Sequence, residues 1–590
     1  MTYFVAYSPV IVFTSTLAAF LAARLLVTGL GFNRKKTDTL VLIAAFLVGL
    51  SGLASVLVIP VGYKMLVGIL TGVLAGWSLR DDDQLQYLLR CPNWFYLSTL
   101  VLILLLAFFV RYNQIGEFGI RIDEPKHLKT AVGYLRTGEL RKWNFSDGVI
   151  GDSYTRAFLF TKMVAWSFTV LGPGLFQARL VSLVWGLLLF VPLFGLTKIL
   201  GMRKSELLIL FSWVAFSPYL IASSRWVRFY SFFTTLIVSV LICFYWFLYH
   251  ENDLYAYSAG GAGLLFMTVA LHLQLIGLLP VAGILVHVVI QSYRNPDDNP
   301  ISYDRIMIGG AVTLGLLGFI VTPPGRYFFY LSDSGSAVGE LANQLTFRPL
   351  YAVYLLGEPF GYLLGGLITA VLLTPTDRSN EYRYFFWTVF LPVLCYLFGA
   401  RRYPQVRFIG YLYPITFVLF LDGARRLIAG VKTTSRIVSL LLFILVVLVV
   451  PFHDLPSDLN RLWAGEMGYV GFPGTASPKY KNWIRDFPQF VTGRDSVIGY
   501  NLPDIYAPAI QSSGANVHWV ARSKRPQPEI SLAEIKRFEA ESSRVWLITL
   551  RRFHGLGKDV LRYLNSNYEK ISAPSDYGNL VIYYRDSENR

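Results

Sequence analysis

The sequence predicts a polytopic α-helical membrane protein carrying a small α/β domain at its C-terminal end. Three observations predict it. Of 590 residues, 54% are hydrophobic and only 15% are charged, whereas a soluble chain carries about 25% charged residues. Apolar runs of spanning length, about 17 to 25 residues, recur from Tyr3 onward. From Phe452 these runs stop, and Pro, Gly, Asp, Ser and Lys return through His453 to Pro478.

The first runs begin near Tyr3, Leu40, Val61 and Trp94. The N-terminus MTYFVAYS lacks a basic stretch before its apolar run, so Tyr3 to Leu30 reads as a span and not a cleaved leader. Ala157 to Leu171 is short, contains Lys162 and ends at LGPG, which suits an interfacial helix. Further runs begin near Leu180, Leu207 and Phe229, and the stretch from Tyr257 to Ile290 is long enough for two helices turning near His272. Others follow near Ile306, Leu350, Tyr384, Phe408 and Val438. The expectation is about fourteen crossings, with residues 1–93 as additional N-terminal helices, 94–451 as the membrane core and 452–590 as the soluble domain.

The net charge of +16 would suggest nucleic acid in a soluble chain. Here the cations lie in loops between apolar runs, where topology and anionic lipid heads explain them better, so no nucleic-acid partner is expected. With the N-terminus outside, Arg34, Lys35 and Lys36, then Arg203 and Lys204, then Arg425, Arg426 and Lys432 fall on the cytoplasmic side. The loop at 113–156 and the C-terminal domain then lie outside. The expectation is a multi-pass protein of the cell membrane with an extracytoplasmic face. Arg121, Lys126, Lys129, Arg225, Arg228, Arg401, Arg402 and Arg407 fall on that face too. Cations held where topology does not favour them are candidates for binding an anion.

In the tail, SVIGY at Ser496, NVHWV at Asn516, VWLITL at Val545 and NLVIYYR at Asn579 read as strands. LPDIYAPAIQSS, ISLAEIKRFEAES and LGKDVLRYLNSN carry helical spacing between them. Strands alternating with helices indicate an α/β layer domain. No GxGxxG follows the first strand, so no nucleotide site is read. Cys91, Cys243 and Cys395 show no metal-ligand spacing, and the tail contains no cysteine.

Polar chemistry concentrates in a few places. FGIRIDEPKH, Phe118 to His127, sets Asp123 and Glu124 among Arg121, Lys126 and His127. DEP is a common helix opening, and a carboxylate beside the membrane also suits a general base on an acceptor hydroxyl. Both readings stand. SSRWVRFY places Arg225 and Arg228 three apart, on one face if helical, with Tyr230 nearby. Such residues anchor helices at headgroup level or bind phosphate with paired guanidiniums. His272 suits a packing residue better than a ligand. RRYPQVRFIGYLYP offers Arg401, Arg402 and Arg407 as helix anchors or further phosphate contacts, and the loop from Gly325 to Arg348 has the composition of a mobile cover. HExxH, P-loop and GxSxG motifs are lacking, which leaves a membrane protease or an ATP-driven pump without support.

In this order the pieces resemble the GT-C class of glycosyltransferases, nearest the branch of protein O-mannosyltransferases and the lipid A aminoarabinose transferase. The resemblance covers residues 94 to 450 and rests on Asp123-Glu124, LGPGLFQARLVSLVWG with Arg179, SPYLIASSRWVRFY, TVALHLQLIGLL and RFIGYLYP. It implies a sugar donor on a polyprenyl or dolichyl monophosphate, of the kind of dolichyl phosphate mannose, and an acceptor that is protein, lipid or glycan. It carries the base onto Asp123 with Glu124 beside it, and the phosphate cations onto Arg225, Arg228 and Arg407, with Tyr230 near them. Arg121, Lys126, His127 and His272 would be substrate contacts. Where many relatives place a second acidic residue, Trp226 stands, so no metal requirement and no cofactor are implied. The WWDYG-like element of oligosaccharyltransferases is lacking from the tail. The competing class is a lipid or glycan transporter or flippase, which inverted repeats or mid-span charges would favour.

Overall fold

The computed structural model describes residues 93–113, 115–116, 124–294, 301–311, 322, 381, 384–385, 387–389, 410–429, 487–500, 507–520, 530–550, 556–572 and 580–586. Arg121, Asp123, Arg401, Arg402 and Arg407 lie outside the described residues, as do the first three expected spans, the runs near Leu350 and Val438, and the loop from Gly325 to Arg348. The chain divides into two compact units. One comprises Met1–Val110, Trp185–Ile221 and Tyr230–Pro456, and the other Arg111–Val184, Ala222–Phe229 and Ser457–Arg590.

Helix α1 (Asn93–Tyr112) is apolar all round and carries Arg111 in its last turn, where a cation complements the negative end of the helix dipole. Helix α2 (Glu124–Thr137) opens on Glu124 and Pro125. An acidic residue suits the positive end of the dipole, and the missing proline N–H costs nothing in a first turn. A hairpin of β1 (Arg141–Trp143) and β2 (Ile150–Ser153) follows. These strands are too short and too polar to show a period-two pattern in the sequence. Helix α3 (Phe158–Leu171) has 14 residues and stops where Gly172 turns to φ 82°. At about 1.5 Å per residue it is too short to cross a bilayer.

Gly133 shows why α2 and β1 meet so closely. A Cβ there would run into the carbonyl oxygen of Arg141, far inside van der Waals contact. Alanine gains about 1 kcal/mol of helix propensity over glycine, but the contact is with backbone and cannot be relieved by a rotamer change. Gly133→Ala is therefore expected to destabilise this unit by about 3 kcal/mol, seen as a lowered thermal midpoint in detergent. An unchanged midpoint would show that the hairpin moves freely against α2.

Helices α4 (Leu175–Leu188) and α5 (Phe190–Ile199) form one apolar stretch, followed by α6 (Lys204–Phe216) and α7 (Pro218–Ser224). The Glu206 carboxylate accepts the Arg203 backbone N–H at 2.7 Å and closes the start of α6. Then come α8 (Tyr230–Tyr249) and α9 (Asp253–Leu273), a 3-10 turn at Leu275–Gly277, and α10 (Leu278–Arg294). The long run from Tyr257 is thus two helices with the turn just past His272. Gln274 makes it in an extended conformation, φ −162°. Helix α11 (Leu412–Ala429) packs on α6, with the Trp213 and Phe417 rings 5.4 Å apart. Among the described residues four stretches, Leu175–Ile199, Tyr230–Tyr249, Asp253–Leu273 and Leu275–Tyr293, are long and apolar enough to cross a membrane.

In the C-terminal part, β3 (Asp495–Tyr500), β4 (Asn516–Val520), β5 (Arg544–Leu550), β6 (Glu569–Ser572) and β7 (Leu580–Asp586) form one sheet in the order β4-β3-β5-β7-β6. The first two pairings are parallel and the last two antiparallel. Short helices α12 (Ala507–Gln511), α13 (Leu532–Glu541) and α14 (Lys558–Asn567) connect them. Ile498, Tyr500, Val545, Leu547, Val581 and Tyr583 pack with Ile535 and Phe538 of α13 and Val560 and Leu564 of α14. Strand β6 has no signal in the sequence, because EKIS lacks apolar alternation. Asp495 and Arg544 join β3 to β5 through a two-pronged ion pair at 2.9 and 2.8 Å.

Candidate functional site

The site grows from the first residue of α2. Glu124 is fully buried, and Arg179, one turn into α4, is fully buried against it. Arg179 donates from Nε to Oε1 at 3.0 Å and from Nη2 to Oε2 at 2.9 Å. Oε1 also accepts the backbone N–H of Val227 at 3.0 Å. The Nη1 of Arg179 donates to the Ile115 carbonyl at 2.9 Å. One carboxylate and one guanidinium thus tie together the chain after α1, the start of α2, the start of α4 and the link before α8. A buried pair repays its desolvation only with such geometry and with further hydrogen bonds on the remaining lone pairs and protons.

That link, residues 225–229, carries two arginines. They do not share a helix face as their spacing suggests. The helix α7 ends at Ser224 and α8 starts at Tyr230, and the residues between them are bends and turns. The Ser182 hydroxyl holds the link by donating to the carbonyls of Trp226 and Arg228. Arg225 donates from Nη2 to the Asn113 carbonyl at 2.6 Å. Burial, and then the Arg179 and Arg111 guanidiniums, pull its pKa down to about 9. At about 9 it still carries its charge at neutral pH.

Arg228 is buried as well. Its Nη1 lies 3.4 Å from Nε2 of His127, and its guanidinium lies 5.4 Å from the Phe229 ring centre. The other imidazole nitrogen, Nδ1, is 2.9 Å from the Thr161 hydroxyl. Tyr154, Phe160 and Phe229 set their rings nearly perpendicular to that of His127, 5.1 to 6.0 Å away. Farther along α2, Lys129 is buried and donates to Asn144 Oδ1 at 3.1 Å, while Lys126 is exposed. The Lys142 pKa is lowered, first by burial, with Asp152 opposing and Lys126 and Lys129 adding to the effect.

Of the residues singled out in the sequence, Glu124, His127, Arg225 and Arg228 come together in one unit, with Lys126 on the same helix. Tyr230 and His272 belong to the other unit, where both are buried. Arg111, Thr161 and Ser182 join the site without having been singled out, and Arg179, named only as part of the LGPGLFQARLVSLVWG segment, joins it as the partner of Glu124. Arg179 had one usable signal, a charge inside the otherwise apolar QARLVSLVWG. Among the described residues no group of three or more His, Cys, Asp or Glu side chains could hold a metal ion.

No protein-family model matches the sequence, and no curated protein matches it. Among solved structures the chain is similar to ArnT from Cupriavidus metallidurans bound to undecaprenyl phosphate. The TM-score is 0.50 at 13% identity, covering 82% of this chain and 97% of that one. The chain has the GT-C fold. Apo ArnT from the same organism aligns at TM-score 0.46 and 12% identity, over 83% of this chain and 98% of that one. The archaeal oligosaccharyltransferase AglB from Archaeoglobus fulgidus, in complex with an inhibitory peptide and a dolichol-phosphate, aligns at 0.44 and 13%, over 77% and 69%. The GT-C fold and the four apolar helices of spanning length among the described residues make this an integral membrane protein.

Proposed function

We propose that the protein is a membrane glycosyltransferase moving a hexosyl or pentosyl group from a polyprenyl- or dolichyl-phosphate donor to an acceptor hydroxyl on the outer side of the membrane. The observation that carries this reading is the concentration of buried guanidinium groups, Arg111, Arg179, Arg225 and Arg228, around the link at 225–229. Guanidinium groups gathered in a desolvated place match the charge and geometry of a phosphate. The GT-C fold shared with a protein bound to undecaprenyl phosphate supports a lipid phosphate as that anion.

In this reading Asp123 takes the proton from the acceptor hydroxyl as its oxygen attacks the anomeric carbon. The bond from that carbon to the phosphate oxygen breaks, the lipid phosphate leaves with the electron pair, and the configuration inverts. Charge grows on the phosphate oxygens as the bond breaks, so arginines fixed beforehand favour the transition state over the ground state. Arg225 and Arg228 hold the phosphate. Both oxygens of Glu124 accept hydrogen bonds, which supports a positioning role for it beside Asp123. Arg121 and Lys126 serve the substrates. The organisation proposed with this function has about fourteen spans, residues 1–93 ahead of the core and an extracytoplasmic α/β domain from 452.

The test is to incubate purified protein with a panel of polyprenyl-phosphate sugars and follow release of the lipid phosphate. Release with at least one donor is expected, and none from any donor, with folded protein and acceptor mixtures of protein, lipid and glycan, would sink the reading. Arg228→Ala should raise the donor KM by about tenfold or more while leaving the acceptor KM nearly unchanged. Equal donor saturation curves would count against its phosphate role.

A further inference from the structure

We infer that His127 is a positioning residue for Arg228: a neutral imidazole, protonated on Nδ1, whose Nε2 lone pair orients the guanidinium toward the lipid phosphate. The inference rests on the reading of Arg228 as a phosphate ligand. It follows from the donor inventory. A guanidinium has five N–H donors and no acceptor, so a hydrogen bond from Arg228 Nη1 to His127 requires a lone pair on Nε2. In a neutral imidazole the hydrogen then sits on Nδ1, and at 2.9 Å it is donated to the Thr161 hydroxyl. Thr161 lies on α3 and is fully buried. The order of contacts runs Thr161, His127, Arg228, from a fixed helix to a non-helical link. The 3.4 Å separation is at the long end for a hydrogen bond, so the imidazole aims the guanidinium more than it binds it.

Protonation would undo this. A His127 cation presents an N–H to the N–H of Arg228 and adds like charge beside it. Glu124 on its own helix is already paired with Arg179. Tyr154 packs its ring against the imidazole, and Arg156 and Arg228 both lie over Phe229, which packs there too. Acidification therefore weakens the grip of Arg228 on an anion through His127.

The experiment measures the Kd of full-length protein for undecaprenyl phosphate, in nanodiscs, between about pH 5 and 8. The lipid phosphate itself loses charge near pH 6, so variants are compared at each pH. His127→Phe should weaken binding about tenfold at neutral pH. His127→Gln, whose amide oxygen accepts without titrating, should stay within about threefold of wild type there and lose affinity less steeply on acidification. His127→Phe combined with Arg228→Ala should bind no worse than Arg228→Ala alone. If Arg228→Ala weakens binding while folded His127→Phe does not, the positioning role is overturned and the phosphate reading stands. An acid limb in His127→Gln as steep as that of wild type overturns the positioning role as well. If Arg228→Ala itself leaves binding unchanged, the phosphate reading fails and takes this inference with it.

Discussion

Asp123→Asn is expected to lower sugar transfer by about 10²- to 10⁴-fold while the protein still inserts, folds and binds undecaprenyl phosphate. Asparagine keeps the shape of the side chain and loses the carboxylate that the proposed mechanism uses as base. Release of lipid phosphate from a donor sugar measures the first effect, and the Kd of the bare lipid phosphate measures the second. Turnover like that of wild type would remove Asp123 from the reaction. Glu124→Gln has a different expected signature. It keeps an oxygen for the Val227 N–H but gives up the charge that faces Arg179, so it loses stability and phosphate binding together, not turnover alone.

Arg179→Ala carries the largest expected effect on stability. It leaves a fully buried Glu124 without its Arg179 partner and the Ile115 carbonyl without that donor. Removing one partner of a buried pair costs about 3 to 5 kcal/mol. The thermal midpoint in detergent should fall accordingly, and the lipid phosphate should bind more weakly because the 225–229 link loses its anchor. Arg179→Lys should not restore it, since an ammonium cannot span both carboxylate oxygens and the Ile115 carbonyl with one planar fork. Replacing the pair together by apolar residues of similar volume, Glu124→Leu with Arg179→Met, should recover much of the stability and none of the phosphate binding. A midpoint and Kd like those of wild type in Arg179→Ala would show that the pair holds nothing in place.

The elements with strong periodicity are legible in the residues alone. The turn past His272 follows from a run too long for one helix, and the tail strands at Ser496, Asn516, Val545 and Asn579 follow from short apolar alternation between turn residues. The start of α2 follows from DEP. The hairpin at 141–153 and strand β6 are not legible, because RKW, IGDS and EKIS carry no pattern and pair only because neighbouring elements hold them. The spacing of Arg225 and Arg228 misleads for a related reason. Three residues apart means one face on a helix, but Ser182 and Glu124 hold their backbone in a bent link.

The sequence by itself determined the chemistry available: a membrane-bound chain with spans set by the length of its apolar runs, and a few charges set among them. Run length and residue type are local, so they can be read one segment at a time. Only the tertiary structure decided which of those charges meet. Arg179 lies 55 residues from Glu124, and Val227 lies 103 residues away. No local propensity reports partners that distant, because the burial that makes their pairing strong exists only once α2, α4 and the link before α8 have packed.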